Sequence, residues 1–251
     1  QSVFLDRVGQ HLAGRGVVAD GKTICDWIDR GGAAPCDRFW TLDPIDGTKG
    51  FLRGGQYAVA LALIIDGRVE VAVLGCPRLG AVDDGGLVFS AIRGGGSRVS
   101  PASGPEDSRP VAVSDCADIT GARLCESVEA GHSSHDRSKA IADALDLQAD
   151  SVRLDSQAKY ATVADGEAEI YLRLPVDEGY QEKIWDHAAG SLVVSESGGT
   201  VTDTRGAPLD FSRGRTLQEN SGVVVSNGRL HEQVLGAVMA SGTTRDIVDG
   251  H

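Results

Sequence analysis

The chain has 251 residues, enough for one large α/β domain or for two smaller ones that share an interface. Its 41% hydrophobic and 24% charged residues are ordinary for a globular protein, and no apolar run reaches the roughly 18 residues of a membrane span. A net charge of −12 disfavours nonspecific binding to nucleic acid or to anionic membranes, but leaves open a phosphate ester bridged by metal ions.

Residues 1–35 read as helical or irregular, with a break at Gly31-Gly32. The start, Gln1-Ser2-Val3-Phe4, has neither the basic stretch nor the apolar core of a signal peptide. Arg38 to Leu42 reads as a strand that stops at Asp43-Pro44, because proline cannot donate to a ladder. Tyr57 to Ile65 and Arg68 to Gly75 read as a hairpin joined by Asp66-Gly67, a pair suited to positive φ. Leu87 to Ile92 is a further strand. Residues 93–110, rich in Gly, Ser and Pro, read as a loop and as the best domain boundary.

The second half alternates. Val111 to Ser114 and Leu124 to Val128 read as strands, and Asp136 to Leu147 as a helix. Gln157 to Ala164 reads as a short helix and Ala168 to Leu174 as a strand. Asp186 to Ser197 reads as a helix stopped by Gly198-Gly199. Gly222 to Ser226 is a strand and Leu230 to Ala240 a last helix. The expected class is layered α/β, divided into residues 1–105 and 106–251. The five cysteines show no C-x-x-C pair and no zinc spacing, so they read as reduced thiols in a reducing, by default cytoplasmic, compartment.

Two segments can carry chemistry. In Asp43-Pro44-Ile45-Asp46-Gly47-Thr48, two carboxylates follow a strand, with the Ile45 carbonyl between them. Such hard oxygen ligands suit Mg²⁺ together with a substrate phosphate, and Thr48 can hold a water; the bland alternative is a solvated Asp-rich turn. In Ile184-Trp185-Asp186-His187-Ala188-Ala189-Gly190, an Asp opens a helix of small residues. Asp186 is either a helix cap or a third metal carboxylate beside an anion at the helix start. His187 is expected to pack or to hydrogen-bond rather than to act in the chemistry.

Together these segments resemble the lithium-sensitive, Mg-dependent inositol monophosphatase superfamily, whose signatures are D-P-[ILV]-D-G-T and W-D-x-A-[AG]-G. The run Phe39 to Gly54 narrows the resemblance to the 3′(2′),5′-bisphosphate nucleotidases. Inositol monophosphatases usually carry Asn-Phe where this chain has Lys49-Gly50-Phe51. The stretches Glu126 to Glu129, His132 to His135, Leu154 to Tyr160, Tyr171 to Pro175 and Tyr180 to Gly190 also match. The similarity runs from about residue 20 to 240.

The resemblance implies an αβαβα sandwich with a metal-binding first lobe and a nucleotide-binding second lobe. It implies that Asp43, Asp46, Asp186 and the Ile45 carbonyl hold two or three Mg²⁺ ions, and that Thr48 orients the attacking water. It places Gly47, Thr48, His132, Ser156, Lys159, Arg173 and Asp186 against the substrate. From chemistry alone, Lys159 and Arg173 are either solvated surface cations or the fixed charge that a second phosphate needs. The implied reaction is hydrolysis of the 3′-phosphate of 3′-phosphoadenosine 5′-phosphate, or of its 5′-phosphosulfate, with inhibition by Li⁺. The implied partner is this small molecule, with no nucleic acid and no membrane, bound by a monomer. Two upstream acidic segments of the family, G-E-E and G-D, are not in this chain, whose first Glu is Glu70. An N-terminally truncated form of the fold is therefore expected. The alternatives are an inositol-phosphate phosphatase and a non-catalytic nucleotide binder.

Overall fold

The computed structural model describes residues 2–80, 85–128, 135–175 and 179–248. The chain divides into two units, Gln1–Cys36 and Asp37–His251. The first holds helices α1 (Ser2–Ala13) and α2 (Gly21–Asp29). Asp20 caps α2 by accepting from the Thr23 N–H at 2.8 Å, and a short 3-10 turn at Arg30–Gly32 ends it where Gly31-Gly32 predicts a break.

The second unit begins with a six-stranded antiparallel meander: β1 (Arg38–Asp46), β2 (Ala58–Ile65), β3 (Arg68–Cys76), β4 (Leu87–Ile92), β5 (Gly96–Pro101) and β6 (Arg109–Val111). The β2–β3 turn carries Asp66 at φ 50° and Gly67 at φ 74°, as the Asp-Gly pair predicts. A short helix, α3 (Thr48–Leu52), follows β1. The second sheet comprises β7 (Leu124–Glu126), β8 (Val152–Arg153), β9 (Ile170–Arg173), β10 (Thr200–Thr202) and β11 (Val223–Ser226), in the spatial order β10-β11-β9-β7-β8. In it β7 runs parallel to β8 and β9, and the other pairs are antiparallel. Four helices complete the unit: α4 (His135–Ala144), α5 (Ala158–Ala164), α6 (Ala188–Glu196) and α7 (His231–Val248).

Period-two burial sorts these elements into layers. Along the second sheet Tyr171, Val223 and Val225 face one core, which also contains Ala161, Val163, Leu192 and Val193 of α5 and α6 and Ala58, Ala60, Leu74 and Phe89 of the first sheet. The alternate residues Ile170, Leu172 and Val224 face a second core with Ile141 of α4 and Val234 and Val238 of α7. The order is therefore sheet, helices, sheet, helices, an α/β sandwich. On the first sheet Trp40, Leu42 and Val59 are exposed. Among the described residues no helix is long and apolar enough to cross a membrane.

Four expectations are corrected. The Gly/Ser-rich segment 93–110 is not a loop but carries β5 and most of β6, because ladder hydrogen bonds need only backbone and the inward positions Ser97 and Val99 are small enough to bury. Val111 to Ser114 is not a separate strand, since β6 ends at Val111. Strand β1 does not stop at Pro44 but continues to Asp46. It pairs only with β2, so an exposed proline on this edge strand leaves no partner carbonyl unmet. Finally, Asp186 does not open an α-helix. It ends a 3-10 turn, Ile184–Asp186, and α6 starts at Ala188.

Candidate active site

The irregularity in β1 builds the first part of the site. Residues three apart on a regular strand point to opposite faces. Here Asp43 lies opposite Ala60 and Asp46 opposite Ala58, so three residues of β1 span two of β2. Ala58 and Ala60 share the buried face, and the bulge accordingly turns both carboxylates to one side. The turn is held locally: the Ile45 N–H donates to Asp43 Oδ1 at 3.1 Å, and the Thr48 hydroxyl donates to the Ile45 carbonyl at 3.2 Å. Gly47, at φ 80°, then leads into α3.

A second segment packs against this turn. Ser156 sits at φ 71°, close enough to Gly47 that a Cβ on the glycine would lie 2.8 Å from the Ser156 Cβ. Ser156 Oγ accepts from the Ala158 N–H at 3.2 Å at the start of α5. The Gln157 N–H donates to Asp46 Oδ2 at 2.5 Å. Asp155 pairs with Arg53 at 2.5 Å and so ties the end of α3 to the same segment.

The third part is the turn before α6. The small residues expected to admit a close neighbour do so: a Cβ on Gly190 would lie 2.4 Å from the ring of buried Tyr160. The Gly190 N–H donates to Gln157 Oε1 at 3.3 Å, which satisfies one of the free donors at the helix start. Asp186 is thereby brought to the two strand carboxylates. One oxygen of each of Asp43, Asp46 and Asp186 lies within 4.8 Å of the others.

Three carboxylates at this spacing repel one another. Burial pushes the Asp43 carboxyl above its ordinary value and Asp46 adds to the shift. Burial likewise raises Asp186 to about 6, with Asp46 again adding to it. An all-oxygen, strongly anionic set of this kind fits a hard divalent cation such as Mg²⁺. A second acidic group, Glu182 with Asp186 and His187, is compact enough to suggest a metal but is already engaged. Arg173 Nε donates to Glu182 Oε1 at 3.0 Å, and His187 Nε2 donates to Glu182 Oε2 at 3.1 Å. The Tyr160 hydroxyl then donates to His187 Nδ1 at 2.7 Å, the roles being assigned from the ionised Glu182. Burial opposes that ionisation, but His187 and Arg173 outweigh it and hold Glu182 at about 2. His187 is thus a hydrogen-bonded core residue, as expected.

The two candidate cations are not solvated. Lys159 is 4% exposed, donates to the Leu154 carbonyl at 3.4 Å and lies 5.2 Å from the Tyr171 ring centroid. Burial pushes its pKa down. The Arg173 side chain is 19% exposed. Both line one cavity of about 390 Å³ together with Asp43, Ile45, Asp46, Gly47, Thr48, Ser156 and Asp186. The residues singled out in the sequence therefore meet in one place, except His132, which lies outside the described residues. The cavity adds residues given no role above, among them Gln157, Tyr180 and Ser127. Buried Glu182 stands behind Arg173. No local sequence signal marks Gln157 or Glu182, whose partners Asp46, Trp185 and Gly190, and Arg173 and His187, are brought to them by the fold.

Residues 22–243 match the Inositol monophosphatase family. A relative from Emericella nidulans, named 3'(2'),5'-bisphosphate nucleotidase, is 50% identical over 238 residues, which cover 86% of this chain and 67% of that protein. A relative of the same name from Oryza sativa is 46% identical over 228 residues, covering 86% of this chain and 63% of that protein. The chain thus spans about two thirds of the length of these relatives. Among solved structures, the Thermotoga maritima IMPase aligns with a TM-score of 0.67 at 22% identity, over 89% of this chain and 81% of that one.

Proposed function

The chain belongs to the inositol monophosphatase family, and on that premise we propose that it removes the 3′-phosphate of 3′-phosphoadenosine 5′-phosphate, giving AMP and phosphate. The observation that carries this reading is the single cavity in which three clustered carboxylates stand beside two half- or fully buried cations. The names of the two relatives support the same substrate class. A substrate with one phosphate would leave buried Lys159, held by a carbonyl and an aromatic ring, without a bound anion. A nucleotide with two phosphates serves both ends of the cavity.

In this reading Asp43, Asp46, Asp186 and the Ile45 carbonyl hold two or three Mg²⁺ ions. When bound, these ions acidify a water nucleophile and shield the phosphate charge. The chain's own residues do the rest. The Thr48 hydroxyl, anchored on the Ile45 carbonyl, keeps lone pairs for the attacking water. Arg173, aimed by Glu182, and Lys159 neutralise the phosphate that is not cleaved, and Ser156 and His132 contact the nucleoside. Phosphoryl transfer needs mainly such positioning and charge neutralisation, so no protein nucleophile is required. The 5′-phosphosulfate analogue would fit the same contacts, and Li⁺ would inhibit. The division into a metal-binding part, residues 1–105, and a nucleotide-binding part, residues 106–251, belongs to this reading. So does action as a cytoplasmic monomer without nucleic-acid or membrane partners.

The test is phosphate release by the 251-residue chain from 3′-phosphoadenosine 5′-phosphate and from inositol 1-phosphate, each with Mg²⁺ and with or without Li⁺. Release from the nucleotide, blocked by Li⁺, is expected. Faster release from inositol 1-phosphate would overturn the substrate, and binding of the nucleotide without release would make the chain a non-catalytic binder.

A further inference from the structure

We propose that Gln157 is a positioning residue that sets the spacing of the carboxylate segments and, through it, the affinity for the divalent ion. The inference rests on the metal reading of Asp43, Asp46 and Asp186 given above.

Asp46 and Asp186 are far apart in sequence and belong to different elements, so something must hold their oxygens together against repulsion. Gln157 bonds to each of the segments concerned. Its backbone N–H donates to Asp46 Oδ2 at 2.5 Å. Its side-chain Nε2 donates at 2.9 Å to the carbonyl of Trp185, the residue before Asp186. Its Oε1 accepts from the Gly190 N–H at 3.3 Å, at the start of α6. Gln157 thus joins the β1 bulge, through its backbone N–H, to both sides of the turn that presents Asp186, through its side chain.

The chemistry of the bridge selects an amide. The Trp185 carbonyl needs a donor and the Gly190 N–H an acceptor, and one primary amide supplies both. Gln157 is 2% exposed, so its amide has no water in place of these two partners. Mg²⁺ demands near-ideal octahedral geometry at roughly 2.1 Å, so a small shift of Asp186 relative to Asp46 weakens the site before it unfolds anything. Groups that orient ligands in this way are typically worth about 10- to 100-fold in metal affinity.

The experiment measures Mn²⁺ binding to the full chain by the electron paramagnetic resonance of the free ion, for the wild type, Q157M and Q157A. Both substitutions keep the backbone N–H to Asp46 and remove only the side-chain bridge. Met preserves volume, and Ala serves if Met does not fit. The expected result is native far-UV circular dichroism with a dissociation constant for Mn²⁺ raised at least about ten-fold. Folded variants with the wild-type constant would overturn the inference and leave the metal site standing. Failure of both variants to fold would also overturn it, since Gln157 would then serve the fold rather than the spacing. A wild-type chain that binds no Mn²⁺ would overturn the metal reading itself.

Discussion

The Arg173 Nε–H donates to Glu182 Oε1 at 3.0 Å, and this pair decides where the guanidinium aims. The other oxygen of Glu182 is held by His187, and His187 by Tyr160. The chain of bonds runs from the core to the cavity wall, so the guanidinium is fixed by groups packed behind it. Glu182→Gln is expected to raise the KM for the nucleotide about ten-fold, the worth of one charge-assisted bond, while kcat changes much less. Steady-state kinetics at saturating Mg²⁺ checks this. Glu182→Ala, which leaves Arg173 and His187 without their carboxylate, is expected to cost about 3 kcal/mol in a denaturant melt.

Asp43 shows the opposite balance between stability and chemistry. Its charge is held against burial and against Asp46, which raise its pKa. Asp43→Asn relieves that repulsion. Without divalent ions the variant is expected to melt at or above the wild-type temperature, while phosphate release falls at least about 100-fold. Thermal melts in chelator, beside activity assays, read both effects.

Asp186 gives a pH dependence whose sign follows from its raised pKa of about 6. Between its unfolded value of about 3.8 and about 6 the native state binds more protons than the unfolded chain. Its contribution is therefore favourable below that window and is lost as pH rises through it. In chelator, stability from this group should fall as pH climbs from 4 to above 6. Added Mg²⁺ should restore stability mainly above about pH 6, where the carboxylate is ionised without proton competition. Melting temperature against pH, with and without Mg²⁺, tests the crossover.

Gly190→Ala would normally favour a helix by roughly 0.5–1 kcal/mol. Here the new Cβ would lie 2.4 Å from the Tyr160 ring, and that ring is fully buried and bonded to His187. Steric cost wins, and a net loss of about 2–3 kcal/mol is expected in chemical denaturation.

Much of this was readable from the residues. Asp66-Gly67 between two Val/Ile/Ala runs announces its hairpin, because the turn chemistry and the alternation agree. The Asp43, Asp46 and Asp186 signatures mark the segments that meet. What escaped is what long-range contacts decide. Strand β5 carries few apolar residues and is made by backbone pairing with β4, so its Gly-Ser-Arg composition looks like a loop. The bulge at Pro44 depends on β1 being an edge strand, which sequence alone does not show. The sequence around Lys159 also fits a solvated helix face, and only long-range packing buries it beside Tyr171. Gln157 and Glu182 act through residues distant in sequence, and no local pattern states their roles.

The most direct measurement is product analysis by ³¹P nuclear magnetic resonance after incubating 3′-phosphoadenosine 5′-phosphate and Mg²⁺ with the wild-type chain and with Asp186→Asn. Inorganic phosphate and AMP, with the 5′-phosphate retained, are expected from the wild type, and no turnover from the variant. A wild-type product that keeps its 3′-phosphate, or equal turnover by Asp186→Asn, would contradict it.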